Sequence, residues 1–368
     1  MVGPRQPIMN RKCALILNFT ANTYHWGCYG TCLEIYQQLL ERGYYVNWLD
    51  VRSTHHLEPR PEQGKDFSDP GFATRFFERN KAVYHALTEA DLVVVNGEGT
   101  LHRLNPGPVT LLYLMYATRC FLGKPVHLIN HSFFPGGSAD PEPGADVIYG
   151  AVASVLTRIV PRETASAAVL QRLGQTVEQG FDCLPLFIAR HNVAPASTST
   201  GPVVLAGGIT LTQDTAERIA HVVSRKAGPG RPVLFLTGAK ARPAGEDATV
   251  FEWMSAKFPG LQRRAATSMS EWLQTIATAS CLVSGRFHHT IAAAMLETPL
   301  LVLPSNTPKV SAACAMLGLA PPLAGEGPPL EEQIAAGLQL AWTGGAPRVT
   351  AATRESIRQL AMHNFTGL

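Results

Sequence analysis

Apolar residues fall in short unbroken runs, and between these runs lie longer stretches where they recur every three or four positions. Cys13-Ala14-Leu15-Ile16-Leu17-Asn18 is the first run and predicts a strand buried on both faces. A loop with Asn22, Gly27 and Gly30 follows. Residues 31–42 then place Leu33, Tyr36, Leu39 and Leu40 on one helical face, and Gly43 closes that helix. Residues 45–49 read as a second strand. The stripe Phe72, Phe76, Val83 and Leu87 predicts a helix over 69–90, and Asp91 to Asn96 reads as a buried strand ended by Gly97-Glu98-Gly99. A helix over 109–122, a strand over 126–130 ended by His131, a strand over 157–161 ended by Arg162-Glu163, and a helix over 164–173 continue the alternation.

The stretch 193–202, rich in Ser, Thr, Ala and Pro, reads as a linker. The alternation restarts beyond it, with strands at 202–206, 233–237, 281–284 and 300–303. Helices are predicted at 212–226, 248–257, 270–279 and 290–296, with a loop at 325–327. Strands alternating with helices of this length mean βαβ units and a mainly parallel sheet. The predicted fold is α/β: two Rossmann-like domains facing each other, the first over 1–192 and the second over 203–345. A C-terminal segment, 346–368, carries a helix at 350–362 expected to pack back on the first domain.

A chain of 368 residues suits two cores better than one. With 46% hydrophobic and 16% charged residues, it is globular in composition, not disordered. The net charge of +3 is too small, and too little clustered, to predict a nucleic-acid partner, but it suits a cleft that takes anions. Seven irregularly spaced cysteines do not make a disulfide framework. Cys28 and Cys32 lie four apart with no second pair at zinc spacing, so no metal is expected. The polar segment 1–12 lacks the apolar core of a signal peptide, and no apolar run is long enough for a membrane span. A cytoplasmic enzyme is the expectation.

In parallel sheets ligands bind beyond the carboxyl ends of the strands. Polar residues gather at those predicted ends: Asn18, Thr20, Asn22 and His25-Trp26-Gly27; Asn96 to Thr100; Asn130-His131-Ser132; Arg162-Glu163; Gly207-Gly208; Thr237-Gly238; and Ser284 to His289. In the run Gly285-Arg286-Phe287-His288-His289, the glycine permits a sharp turn and the following helix presents its amide N–H groups to an anion. Arg286 is suited to bidentate binding of a carboxylate or phosphate. His288 or His289 suits proton transfer near neutral pH, although one of two adjacent histidines usually points away. Arg162 reads as a second anion ligand or as the partner of Glu163. His131 reads as an acceptor-binding, catalytic or satisfied core residue. Glu98 reads as an acid, a base, a sugar-hydroxyl ligand or a helix-end carboxylate, and Asp182 as a cap. Trp26 suits stacking on a sugar or a place in the core. Neither a GK[ST] ending nor a GxGxxG fingerprint is present, which counts against a nucleotide loop and a dehydrogenase.

Taken together, Asn18 to Thr31 (NFTANTYHWGCYGT), Asn96 to Thr100, Asn130-His131, Pro161-Arg162-Glu163 and Ser284 to His289 (SGRFHH) resemble the polysaccharide pyruvyl transferase family. The resemblance implies a GT-B-like fold and transfer of a pyruvyl unit from phosphoenolpyruvate, a substrate and not a cofactor, to a sugar diol of a glycan, closing a pyruvate ketal. It implies anion binding by Arg162 and Arg286, a catalytic role for His288 and an acceptor-side role for His131. Gly285, Phe287 and His289 join the donor side. Glu98 joins the catalytic group. Asn22, His25, Trp26 and Thr100 form the acceptor side. Gly-Glu-Gly stands where many relatives carry a run of glycines, and the family is broad. A GT-B glycosyltransferase with a nucleotide-sugar donor is therefore the alternative. A two-lobed binding protein without turnover is a third reading.

Overall fold

The computed structural model describes residues 11–22, 25–238 and 245–368. Most of the polar 1–12 segment, and Thr23 and Tyr24 of the first loop, lie outside the described residues. The first half runs β1 (Cys13–Phe19), α1 (Trp26–Glu41), β2 (Tyr45–Asp50), α2 (Val51–His55), α3 (Gly64–Ser68), α4 (Pro70–Arg79), α5 (Lys81–Glu89), β3 (Leu92–His102), α6 (Pro106–Cys120), β4 (Val126–Phe134), α7 (Pro143–Val155), β5 (Arg158–Pro161), α8 (Thr164–Arg172) and α9 (Leu184–Arg190). The second half runs β6 (Val203–Leu205), α10 (Gln213–Ala227), β7 (Val233–Leu236), α11 (Gly245–Lys257), β8 (Gln262–Arg264), α12 (Met269–Ala277), β9 (Cys281–Ser284), α13 (Phe287–Met295), β10 (Leu300–Val302), α14 (Lys309–Met316), α15 (Gly327–Thr343) and α16 (Ala351–Met362).

Each half carries one five-stranded sheet, ordered β2-β1-β3-β4-β5 and β10-β9-β6-β7-β8, with every pairing parallel. The order reverses between β1 and β3 in one sheet and between β6 and β9 in the other. Those reversals open a crevice at the strand ends, because helices on either side leave toward opposite faces. The runs that predict buried strands are buried: Ala14 to Leu17 and Val93 to Val95 are at most 1% exposed.

Several elements depart from the sequence reading. The helix expected over 69–90 is two helices, broken at Asn80. The Asn80 side chain donates to the Phe76 and Glu58 carbonyls and so ends the first helix. Strand β3 does not stop at Asn96. It carries Gly97-Glu98-Gly99 inside the ladder, with Glu98 in register opposite His131. Helix α1 starts at Trp26, five residues early, because the small Gly27 and Gly30 let its first turns lie against Met269, Leu184 and His288. Helices α7 and α15 and the exposed strand β8 have no counterpart in the sequence reading.

Two cores fill the individual halves, and a third is shared. In the shared core Ile35 and Leu39 of α1 and Leu184 and Phe187 of α9 meet Leu273 of α12 and Ile291 to Met295 of α13. After α15 the chain returns to the first half. Asn364, fully buried, accepts from the Asn130 N–H at 2.8 Å and donates to the Phe181 carbonyl at 2.7 Å. Removing that side chain leaves two buried backbone groups unpaired. Asn364→Ala should therefore cost about 1–3 kcal/mol, read as a lowered midpoint in thermal or urea unfolding.

Candidate active site

Three residues on neighbouring strands adopt left-handed backbone: Asn18 (φ 59°), Glu98 (φ 42°) and Asn130 (φ 49°). Asparagine tolerates this conformation, whereas for glutamate it costs about 1–3 kcal/mol and must be held by its surroundings. The holding network is visible. Asn18 Nδ2 donates to the Asn96 carbonyl (2.7 Å) and to Thr100 Oγ1 (3.1 Å), and Asn130 Nδ2 donates to Asn96 Oδ1 (2.8 Å). Glu98 Oε1 accepts from Thr20 Oγ1 (2.5 Å) and from Asn96 Nδ2 (3.3 Å). A chain of side-chain amides thus stitches β1, β3 and β4 together and aims the Glu98 carboxyl between the two sheets.

That carboxyl lines a cavity of about 510 Å³ between the two halves. From the first half come Thr20, His25, Cys28, His55, Glu98, Thr100, His102 and Arg162. From the second come Gly285, Arg286, Phe287, His288, His289 and Lys309. Arg162 is 2% exposed. It donates through Nε to Ser132 (3.0 Å) and through Nη1 to Asp182 (3.0 Å), and it stacks 4.2 Å from the Phe287 ring centroid. Across the cavity, Arg286 pairs with Asp247, whose other oxygen accepts from the Gly238 N–H at 2.8 Å. A side chain on Gly207 would meet both Asp247 and Arg286, which is why the turn after β6 carries a bare glycine there.

His288 reaches across the seam. Its Nε2 faces Asp182 Oδ2 at 3.2 Å and its Nδ1 faces Cys28 Sγ at 3.8 Å. The fit around the ring is close, since a Cβ on Gly27 would lie 2.2 Å from the His288 Cβ. Asp182, fully buried, also accepts from Thr31 Oγ1 (3.0 Å) and from the Leu184 N–H (2.9 Å). Burial pushes its carboxyl pKa up, but His288, Arg162 and the Leu184 amide outweigh that and hold it well below the usual carboxylate range. His289 points away from this pair. Its Nε2 accepts from Trp272 Nε1 at 3.2 Å, and burial together with Arg286 holds it neutral. It therefore meets the cavity as an uncharged ring.

Of the twelve residues the sequence singled out, nine line the cavity, and three lie elsewhere among the described residues. Trp26 is buried in the seam, donating to the Ala266 carbonyl and packed edge-on against Tyr29. Asn22 is exposed beyond the cavity rim. His131 is fully buried against Gly97 and Phe133, and among the described residues neither ring nitrogen has a hydrogen-bond partner. Six residues of the site had no such signal: Cys28, His55, His102, Asp247, Lys309 and, beyond its expected cap on α9, Asp182. His55 Nε2 lies 3.0 Å from Asn18 Oδ1 and His102 Nδ1 lies 2.8 Å from the Gly99 carbonyl. Burial lowers both their pKa values, that of His55 to about 4. Cys28, Glu98 and His288 bring one ligand atom each within 4.8 Å of one another, a set able to hold a metal ion. Arg162 and Lys309 stand beside it and favour an anion.

The sequence pattern of the family described as polysaccharide pyruvyl transferase matches residues 30–307. No curated protein matches the chain. Among solved structures, a UDP-GlcNAc 2-epimerase from Methanocaldococcus jannaschii, solved with UDP-GlcNAc and UDP, aligns over 96% of this chain and 99% of its own, at 11% identity and a TM-score of 0.56. Sucrose-phosphate synthase from Thermosynechococcus elongatus aligns over 95% of each chain, at 13% identity and a TM-score of 0.58. HepE from Anabaena, in complex with UDP and glucose, covers 97% of this chain and 100% of its own, at 11% identity and a TM-score of 0.53. At these identities the likeness is one of fold: two parallel-sheet halves of the GT-B type.

Burial and Arg162 push the His131 pKa down to about 3, against 6.5 for the free side chain. Between those values the unfolded chain takes up a proton that the folded chain refuses, so stability falls as the pH drops. The other buried histidines act in the same direction. His131→Leu should lose less stability than the parent between pH 7 and pH 5, by roughly 2 kcal/mol, measured by urea unfolding at the two pH values.

Proposed function

Since the chain belongs to the polysaccharide pyruvyl transferase family, we propose that it moves a pyruvyl group from phosphoenolpyruvate to a sugar diol of a glycan or glycoconjugate. The observation that carries this reading is the placement of Arg162 and Arg286 on opposite walls of one cavity, with His288 between the halves. The donor is a small molecule with two anionic ends, which suits two guanidinium groups facing each other.

In the proposed reaction His288 gives a proton to the methylene carbon of the donor. The adjacent carbon, which bears the phosphate ester, gains oxocarbenium character. Asp182 holds the His288 ring by its Nε2 edge, leaving the Nδ1 edge, beside Cys28, toward the cavity. One acceptor hydroxyl bonds to that carbon and loses its proton to Glu98, whose carboxyl is presented by Thr20 and Asn96. The second hydroxyl then bonds to the same carbon as the carbon–oxygen bond to phosphate breaks, its proton passing to the departing phosphate, and the ketal closes. His131 lies behind the wall, so its part is to shape β4 beneath Glu98, with no proton to carry. Thr100, His25, His55 and His102 form the polar rim on which the acceptor would rest. Water competes for the cation, so the seam between the halves must close over the donor.

None of the described helices is long and apolar enough to cross a membrane. We take the cytoplasm as the working compartment, which suits the unpaired cysteines.

The fold likeness to enzymes solved with UDP ligands keeps a nucleotide-sugar donor as the second reading. A thermal-shift screen separates the two, since phosphoenolpyruvate should raise the midpoint and UDP-sugars should not. Arg286→Ala should lower kcat/KM by roughly 10²–10³-fold or more, and should also lower the unfolding midpoint because it leaves the buried Asp247 carboxylate without its partner. His288→Gln should suppress turnover with donor binding retained. Near-parental turnover in either variant would overturn the assignment.

A further inference from the structure

Cys28, Glu98 and His288 come from three distant segments, α1, β3 and α13, so no zinc spacing appears in the sequence. In the fold their ligand atoms all lie within 4.8 Å of one another. Cys28 Sγ and His288 Nδ1 are 3.8 Å apart. A tetrahedral zinc ion, with a bond of about 2.3 Å to sulfur and about 2.1 Å to nitrogen, would hold two such atoms roughly 3.6 Å apart, so the spacing needs little adjustment. All three residues line the cavity, which leaves the fourth position open to water or a small anion.

The ligands are also oriented from behind. Asp182 is held ionised, and its Oδ2 accepts from His288 Nε2 at 3.2 Å. In the neutral ring the proton then sits on Nε2 and the lone pair on Nδ1, toward Cys28. A carboxylate behind a histidine in this way fixes both the tautomer and the aim of a metal-binding imidazole. Thr20 and Asn96 hold Glu98 by its Oε1. Charge and softness select the ion. A thiolate and a carboxylate together balance a dication. Arg162 is spent on Asp182, while Lys309, also in the cavity wall, opposes the ion. A hard ion such as Mg²⁺ would find a single carboxylate here, whereas a soft ion gains sulfur and imidazole as well.

We propose that Cys28, Glu98 and His288 form a binding site for a thiophilic divalent cation of the zinc class. As the ion binds, the Cys28 thiol gives its proton to solvent, and Sγ, Nδ1 and the Glu98 carboxylate each supply an electron pair. The site stands on its ligands and is independent of the donor. Its consequence for turnover rests on the function proposed above. The ion would occupy the Nδ1 edge by which His288 gives its proton, so zinc would act as an inhibitor and the metal-loaded chain would not transfer.

The test titrates the full chain, with its cysteines reduced, with Co²⁺, whose bond to a thiolate absorbs in the near ultraviolet. The parent should show that band and saturate at one ion per chain, and Zn²⁺ should displace the cobalt and abolish the band. Cys28→Ser should lose the band, and Glu98→Gln should bind Co²⁺ at least about tenfold more weakly. No band in the parent, or an undiminished band in folded Cys28→Ser, would overturn the proposal. If that variant does not fold, parental cobalt affinity in Glu98→Gln overturns it instead. Zn²⁺ should also halt transfer by the parent, and a chelator should restore it. Binding at these ligands with turnover undiminished would leave the site standing and defeat the role given to His288.

Discussion

The site depends on one buried carboxylate. Asp182 has no solvent contact, yet it stays ionised because four donors converge on it: the Thr31 hydroxyl from α1, the Leu184 amide at the start of α9, the Arg162 guanidinium at the end of β5, and the His288 ring from α13. Each of these groups is costly to bury alone. Breaking one side of such a pair typically costs about 3–5 kcal/mol because the remaining charge is left uncompensated. Arg162 in turn cannot lie where it does without Asp182 on one nitrogen, Ser132 on another and the Phe287 ring against its face. The carboxylate therefore fixes the Arg162 guanidinium, the ring of the proposed acid and the docking of α13 together.

Much of the frame was legible in the chain. Buried parallel strands need apolar residues on both faces, so β1, β3 and β9 stand out as unbroken runs. The rule that ligands gather at strand ends then points to Glu98, Arg162, Arg286 and His288 from the sequence alone. Such positions depend on the backbone path, which hydrophobic pattern does specify. The family pattern, which covers residues 30–307, agrees with the resemblance carried by the same strand-end residues.

What was not legible depends on tertiary neighbours. The sequence places His131 at a strand end like the others, but β4 runs on to Phe134 and seats the ring against Gly97 and Phe133 instead of in the cavity, and the pairing that settles this lies in a different strand. Trp26 could stack on a sugar or fill a core with equal chemical sense, and only the arrival of α12 decided for the seam. Lys309 carries no local signature, since a single lysine after Thr307-Pro308 reads as surface charge. It is the packing of α14 against α8 that brings it beside Arg162. The break at Asn80 was hidden for the opposite reason. The apolar stripe continues through it, and the interruption comes from a side chain satisfying carbonyls that the helix would otherwise use.

The partners of His288 belong to different parts of the chain from the histidine itself. Asp182 and Cys28 stand on the first half, while the ring is borne by the second, pressed against Gly27 with no room to spare. Separating the halves by a few ångströms would strip the imidazole of both neighbours at once. An open form would then present a donor-sized cleft whose acid is neither aimed nor electrostatically supported. In the proposed reaction the seam would work as a safety catch: the reactive cation would form only when the walls that keep water from it are already in place.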